Sequence, residues 1–240
     1  MVEGKLARVE GEQTHSSVQI GASVETEVDS ISFVLDSIRE KGKPPVSYVL
    51  PPDFPQSIEE KALIPGVNYR AELTAWMSQS FHPEKYQSAI NHIQELWGPI
   101  EPLYWDVLSK INGLKPPENI RGDVVLYGVG GGYYPDKTKF SIWTNGDQDE
   151  PRFKRVSPIH TVGHEIIELS IHPIVKSLGI PYWQKERVVD LLMTQSPLSE
   201  LFPGYRQQDN GDRTIDRHFS WESAADNIQE MLSQIVASRS

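Results

Sequence analysis

Between Ser157 and Pro173 the chain is apolar in almost every direction but one. Val162, Ile166, Leu169 and Ile171 belong in a core, yet His160, His164, Glu168 and His172 recur among them at intervals of four. On a helix, residues four apart are offset by only about 40°, so these side chains form one narrow polar ribbon along an apolar rod. Such a helix is buried, and its ribbon must find partners inside the protein, because a buried carboxylate without a counter-charge is costly. Ser157 at the N-cap and Pro158 at the first helical position give it a defined start.

What can satisfy the ribbon is narrowed by composition. With no cysteine among 240 residues there is no disulfide, no thiolate nucleophile and no thiolate-bound zinc, so a metal would have to be held by His, carboxylate or water. A net charge of -10 without a basic cluster repels a phosphate backbone and argues against nucleic acid as a partner. No stretch reaches the roughly 18 apolar residues of a membrane span, and Met1 to Ile20 is polar, so the expected location is cytoplasmic.

The rest of the chain reads as α+β, a small mixed or antiparallel sheet packed against several helices. Val24 to Arg39 has a 3.6-residue apolar stripe followed by Lys41-Gly42, a basic last turn and a C-cap glycine. Tyr69 to Trp76 is ambiguous between strand and helix; helices are expected from His82 to Trp97 and from Pro102 to Ile111. Asp123 to Gly128 and Lys139 to Thr144 read as the strands of a hairpin around Gly130-Gly131-Gly132, which lacks the Gly-Lys-Ser/Thr and following helix of a phosphate loop. Val46 to Leu50 is a further short β-rich run. Helices follow from about Pro181 to Thr194 and from Trp221 to Ala237. A division at 117/118 separates an N-terminal region from one holding the polar helix, unless the two form one continuous domain.

Chemistry concentrates between His160 and Asp190. Glu165 is rotated about 100° from His164, which sets a carboxylate beside a metal held by the ribbon without making it a ligand, the geometry of a general base. Glu186 and Asp190, again four apart, point the same way from the next helix, and Glu186 can complete the coordination sphere.

His164-Glu165-Ile166-Ile167-Glu168 and Glu186-Arg187-Val188-Val189-Asp190 together resemble the gluzincin type of zinc metallopeptidase, whose signature is HExxH on one helix and ExxxD on a following one. The resemblance implies a zincin-like metal helix, with His164 and Glu186 as zinc ligands and Glu165 as general base. It also implies Asp190 as the acceptor that holds the imidazole of His164, and a peptide or protein substrate that pairs with an edge strand, here Lys139 to Thr144. His218, ahead of the last helix, stands where such enzymes place a proton donor or oxyanion stabiliser; a helix-capping role is the alternative. This chain departs from the pattern at Glu168, which occupies the place of the second histidine. Carboxylate oxygen is an acceptable zinc ligand, but the added negative charge weakens the Lewis acid or favours Mn or another divalent metal. A second ligand set, His160, His164 and Glu186, avoids this by shifting the site one turn. The expected function is therefore zinc-dependent hydrolysis. Its rivals are a metallopeptidase-like module that has lost catalysis and a structural domain whose ribbon is satisfied by hydrogen bonds alone.

Overall fold

A computed structural model describes residues 17–43, 48–144, 157–208 and 213–237. The chain opens with β1 (Ser17–Gly21) and α1 (Val24–Lys41). The side chain of Ser23 caps α1 by accepting the N–H of Thr26 at 3.3 Å, and Gly42, at φ 67°, returns its N–H to Ile38. Next come α2 (Gln56–Ala62) and α3 (Arg70–Ser80). The ambiguous stretch at Tyr69 is helical because Tyr69, Leu73 and Met77 all face inward against Val28, Ile31 and Leu35 of α1. These three helices enclose a small core of their own. Of the expected run at Val46 to Leu50, residues 46–47 lie outside the described part, and Val49 makes one antiparallel bridge to Gly128.

The larger core begins with α4 (Glu84–Trp97) and α5 (Glu101–Ser109), which supply Tyr86, Ile93, Trp97 and Tyr104. Three further strands follow, β2 (Asn119–Val125), β3 (Gly132–Tyr134) and β4 (Lys139–Trp143). The sheet is mixed, in the order β1-β2-β4-β3, with β1, β2 and β4 parallel and β3 antiparallel to β4.

This corrects the expected hairpin. The strands at Asp123 and Lys139 are neighbours, but they run parallel, with Gly122 opposite Phe140. Residues 126–138 cross to the far side of β4, lay down β3 at the sheet edge and turn back, so β3 is the antiparallel partner of β4. It also moves the edge: β4 is internal, and the edge facing away from β1 is β3. Alternation of apolar and polar residues specifies which face of a strand is buried, not which neighbour it pairs with or in which direction.

Four helices complete the fold: α6 (Pro158–Leu178), α7 (Tyr182–Gln195), the single-turn α8 (Leu198–Leu201) and α9 (Trp221–Ala237). α6 starts at Ser157 as expected, although the serine side chain makes no capping bond, and it runs on past Pro173 to a left-handed Gly179. There Ile180 N–H closes onto Val175 carbonyl at 3.0 Å, and both residues are buried, which anchors the turn into α7. Phe202, just after α8, lies flat on Gly163 of α6, where any Cβ would come within 2.6 Å of its ring. Tyr104 of α5 donates to the Gly163 carbonyl at 2.7 Å. The middle of α6 is thus held from several directions, with Ile166 and Ile167 fully buried.

Candidate metal centre

Whether the ribbon points inward decides its chemistry, and it does. His160, His164, Glu165 and Glu168 are all buried, as are Glu186 and Asp190 on α7. The turn at Gly179 folds α7 back along α6, so the two carboxylates of α7 face the ribbon.

Three side chains converge. His164, Glu168 and Glu186 each present a donor atom, and these atoms lie within 4.8 Å of one another. His164 Nε2 is 3.2 Å from Glu186 Oε2 and 3.5 Å from Glu168 Oε1. A tetrahedral zinc ion with bonds of about 2.0–2.2 Å spaces its ligand atoms roughly 3.3–3.6 Å apart; the Glu168 spacing falls in that range, and the Glu186 spacing lies just below it and is also that of a hydrogen bond.

The imidazole is oriented for that role. Tyr205 hydroxyl donates to Asp190 Oδ1 at 2.8 Å, and its lone pair meets His164 Nδ1, also at 2.8 Å. His164 Nδ1–H therefore donates to Tyr205, which leaves Nε2 to face the two glutamates. Asp190 does support His164, but through the Tyr205 phenol and not by the direct contact the resemblance implied. Its other oxygen accepts the backbone N–H of Gln208 at 2.8 Å, and the side-chain amide of Gln208 donates to Glu186 Oε2 at 2.5 Å.

Burial and mutual repulsion shape the titration of the group. Burial pushes Glu165 well above the usual carboxylate range, with the charge of Glu168 adding to it, and burial likewise raises Glu168. Burial opposes ionisation of Glu186 as well, but hydrogen bonds from His164 and Glu168 hold it low. For His164, burial is outweighed by hydrogen bonds to Glu168 and Glu186, and its pKa rises to about 10. The cluster thus keeps protons at the point where its donor atoms converge.

Glu165 sits beside the cluster under the glycine tract. A Cβ on Gly131 would come within 2.6 Å of Glu165 Oε1, and Glu165 Oε2 is buried without a hydrogen-bond partner among the described residues. Both residues line a cleft of about 670 Å³ that also takes in His164, Glu168 and Glu186. The cleft extends past Tyr133 and Tyr134 to Phe33 of α1 and Arg70 of α3.

Other expected residues fall outside the cluster. His160 lines the cleft, but its ring is turned to Phe202 and Tyr205, with centroids 6.0 and 5.7 Å away, so the ligand set shifted by one turn is not the one that converges. Burial lowers the pKa of His160. His172, less buried, meets the Tyr133 hydroxyl through Nδ1 at 3.2 Å. His218 ends a short 3-10 helix (Arg213–His218), where Nε2 accepts from Arg217 at 2.9 Å, and it does not line the cleft. The proton-donor place the resemblance gave it therefore has no counterpart in this geometry. Arg187, adjacent to Glu186, is committed elsewhere, in a two-point pair with Asp216 at 2.6 Å for both bonds.

Two participants were not legible as such in sequence. Tyr205 had no motif to mark it. Lys185 stood in view next to Glu186 but matched an ordinary surface charge pattern; it is instead 2% exposed, with Nζ 2.6 Å from Glu168 Oε1 and 3.0 Å from Glu186 Oε1. Compared with known proteins, the chain matches no family model, no curated protein and no solved structure.

Proposed function

We propose that the protein is a metal-dependent hydrolase, in its simplest form a zinc peptidase similar to gluzincins, with His164, Glu168 and Glu186 as ligands. The reading is carried by one observation: a buried imidazole and two buried carboxylates from two helices converge at ligand spacing, and a further carboxylate, Glu165, lies beside them on a cleft. Charge supports it. Lys185 pairs with Glu168 and Glu186, and a divalent cation would take the place of the protons that burial keeps on the cluster.

A divalent ion at this point supplies Lewis acidity, polarising a carbonyl oxygen and acidifying water. The chain's own groups do the rest. Glu165 takes a proton from the attacking water and delivers it to the leaving amine, and a cation beside it would favour the ionised form that this requires. Tyr205 and Asp190 hold His164 in its ligating tautomer. Among the described strands the outer edge of β3 has no partner, and its residues line the cleft, so an extended peptide can add to it as a further strand. No described helix is long and apolar enough to cross a membrane, and a cytoplasmic location remains part of this proposal.

The test is elemental analysis of protein purified without added zinc, followed by peptide hydrolysis. Wild type is expected to carry one divalent ion per chain. Glu165→Gln should keep the ion and lose turnover by roughly a hundredfold or more, whereas His164→Ala should lose both. Full activity in Glu165→Gln would remove the base assignment. A wild type without stoichiometric metal would favour the structural reading, in which Lys185 and the hydrogen bonds alone satisfy the cluster.

A further inference from the structure

Lys185 stands in the first turn of α7 with its ammonium against both carboxylate ligands. It is also enclosed by aromatic rings, 4.3 Å from the centroid of Tyr133 and 4.7 Å from that of Tyr182, and it donates to the Tyr133 hydroxyl at 3.3 Å. A cation so placed is neither a surface charge nor free to swing away. Its contacts divide the Glu186 carboxylate: Lys185 holds Oε1, while Oε2 is the oxygen that faces His164 Nε2.

We infer that Lys185 is the charge-compensating and positioning residue of the metal centre, so that Glu168 and Lys185 together stand electrostatically in the place of one neutral imidazole. The inference rests on the metal-dependent reading above. A ligand set of one imidazole and two carboxylates carries one more negative charge than two imidazoles and one carboxylate. That excess makes the bound ion a poorer Lewis acid. The ammonium on the ligand oxygens cancels the excess. On Glu186 it meets Oε1, the oxygen turned away from His164, and on Glu168 it meets the same Oε1 that lies 3.5 Å from His164 Nε2, so it sits against both carboxylates at the point where they converge. The departure at Glu168 therefore need not mark a lost site, since its compensation arrives from the next helix.

A consequence separates this role from simple packing. Replacing Glu168 by histidine restores the pattern of the resembling peptidases, but it removes the nearer of the two carboxylates that hold the buried ammonium and leaves it beside a divalent ion with Glu186 alone. Zinc affinity of full-length wild type, Glu168→His, Lys185→Met, Lys185→Arg and the Glu168→His/Lys185→Met double variant should be measured by chelator competition, with melting temperatures taken with and without zinc. We expect Glu168→His alone to lose roughly tenfold or more in zinc affinity. The double variant should return to within about threefold of wild type, as should Lys185→Arg, which keeps the charge. If Lys185→Met alone fails to fold, the double variant, in which neither charge is buried, still carries the comparison. Effects of the two substitutions that simply add, in a wild type that binds zinc, would overturn the pairing and leave the metal centre standing. A wild type that takes up no zinc in the same titration would overturn the centre itself, and this inference with it.

Discussion

Tyr205 shows how much of the site depends on one hydroxyl. It is the link between Asp190 on α7 and His164 on α6, donating to one and accepting from the other. Tyr205→Phe keeps the ring, which stacks near His164 with centroids 6.4 Å apart, and removes only the oxygen. The imidazole then loses the partner that sets its tautomer, and Asp190 keeps only the Gln208 N–H. Groups that orient a metal ligand in this way typically contribute a tenfold to hundredfold share of metal affinity. We expect Tyr205→Phe to weaken zinc binding by about tenfold, measured by chelator competition, with secondary structure by circular dichroism unchanged. At this scale the sequence was readable where a helical period puts residues on one face: His164, Glu168, Glu186 and the adjacent carboxylate Glu165 all came from spacing. Tyr205 comes from a loop after α8, and no period connects a loop residue to a helix face. Lys185 was misread for a different reason, since a Lys-Glu-Arg run looks the same whether its helix end is exposed or buried.

Among the elements, the tract around β3 is the one whose role changed most between sequence and structure. Three glycines suggested the loop of a hairpin, and the resemblance to gluzincins implied the strand at Lys139 to Thr144 as the edge. In the fold, Gly132 begins β3 and Gly131 lies against α6, where a side chain has no room because Glu165 Oε1 and Thr161 Cγ2 are only 2.6 and 2.7 Å from the Cβ position. Gly131 thus permits close approach of the segment before β3 to α6. Gly131→Ala tests this. The added methyl must displace the Glu165 carboxylate, which has little space in a buried setting, while His164, Glu168 and Glu186 are left in place. We expect the variant to retain its metal by elemental analysis and to lose peptide hydrolysis by roughly tenfold or more, most of it in kcat. A variant that keeps full turnover would show that Glu165 moves freely and that the tract is an ordinary turn.

At the scale of the whole molecule, the sheet and the larger core both extend across position 117/118. β1, at residues 17–21, forms an edge of the sheet by pairing in parallel with β2 at residues 119–125, so the sheet straddles the 117/118 boundary. The large core does too, since Tyr86, Ile93, Trp97 and Tyr104 pack in one cluster with Ile166, Ile167 and Phe202. Tyr104 is fully buried, its ring edge-on to Phe202 at 5.9 Å and its hydroxyl bonded to α6. Long-range strand pairing and inter-helix packing leave no mark in a local pattern, which is why continuity of the two regions stayed open until the strands were placed. Removing the first part of the chain would expose the β1 side of β2 and strip several aromatic side chains from around α6, each a loss of about 3–5 kcal/mol for a buried residue of that size. Against a domain stability of about 5–15 kcal/mol, that deficit cannot be absorbed. A fragment spanning residues 118–240 is therefore expected to lack a cooperative thermal transition by calorimetry and to bind no zinc, because α6 and α7 would no longer be held at ligand distance. A sharp transition in the fragment, with retained metal, would mean that the metal helices form a unit of their own and that the N-terminal half is an attachment.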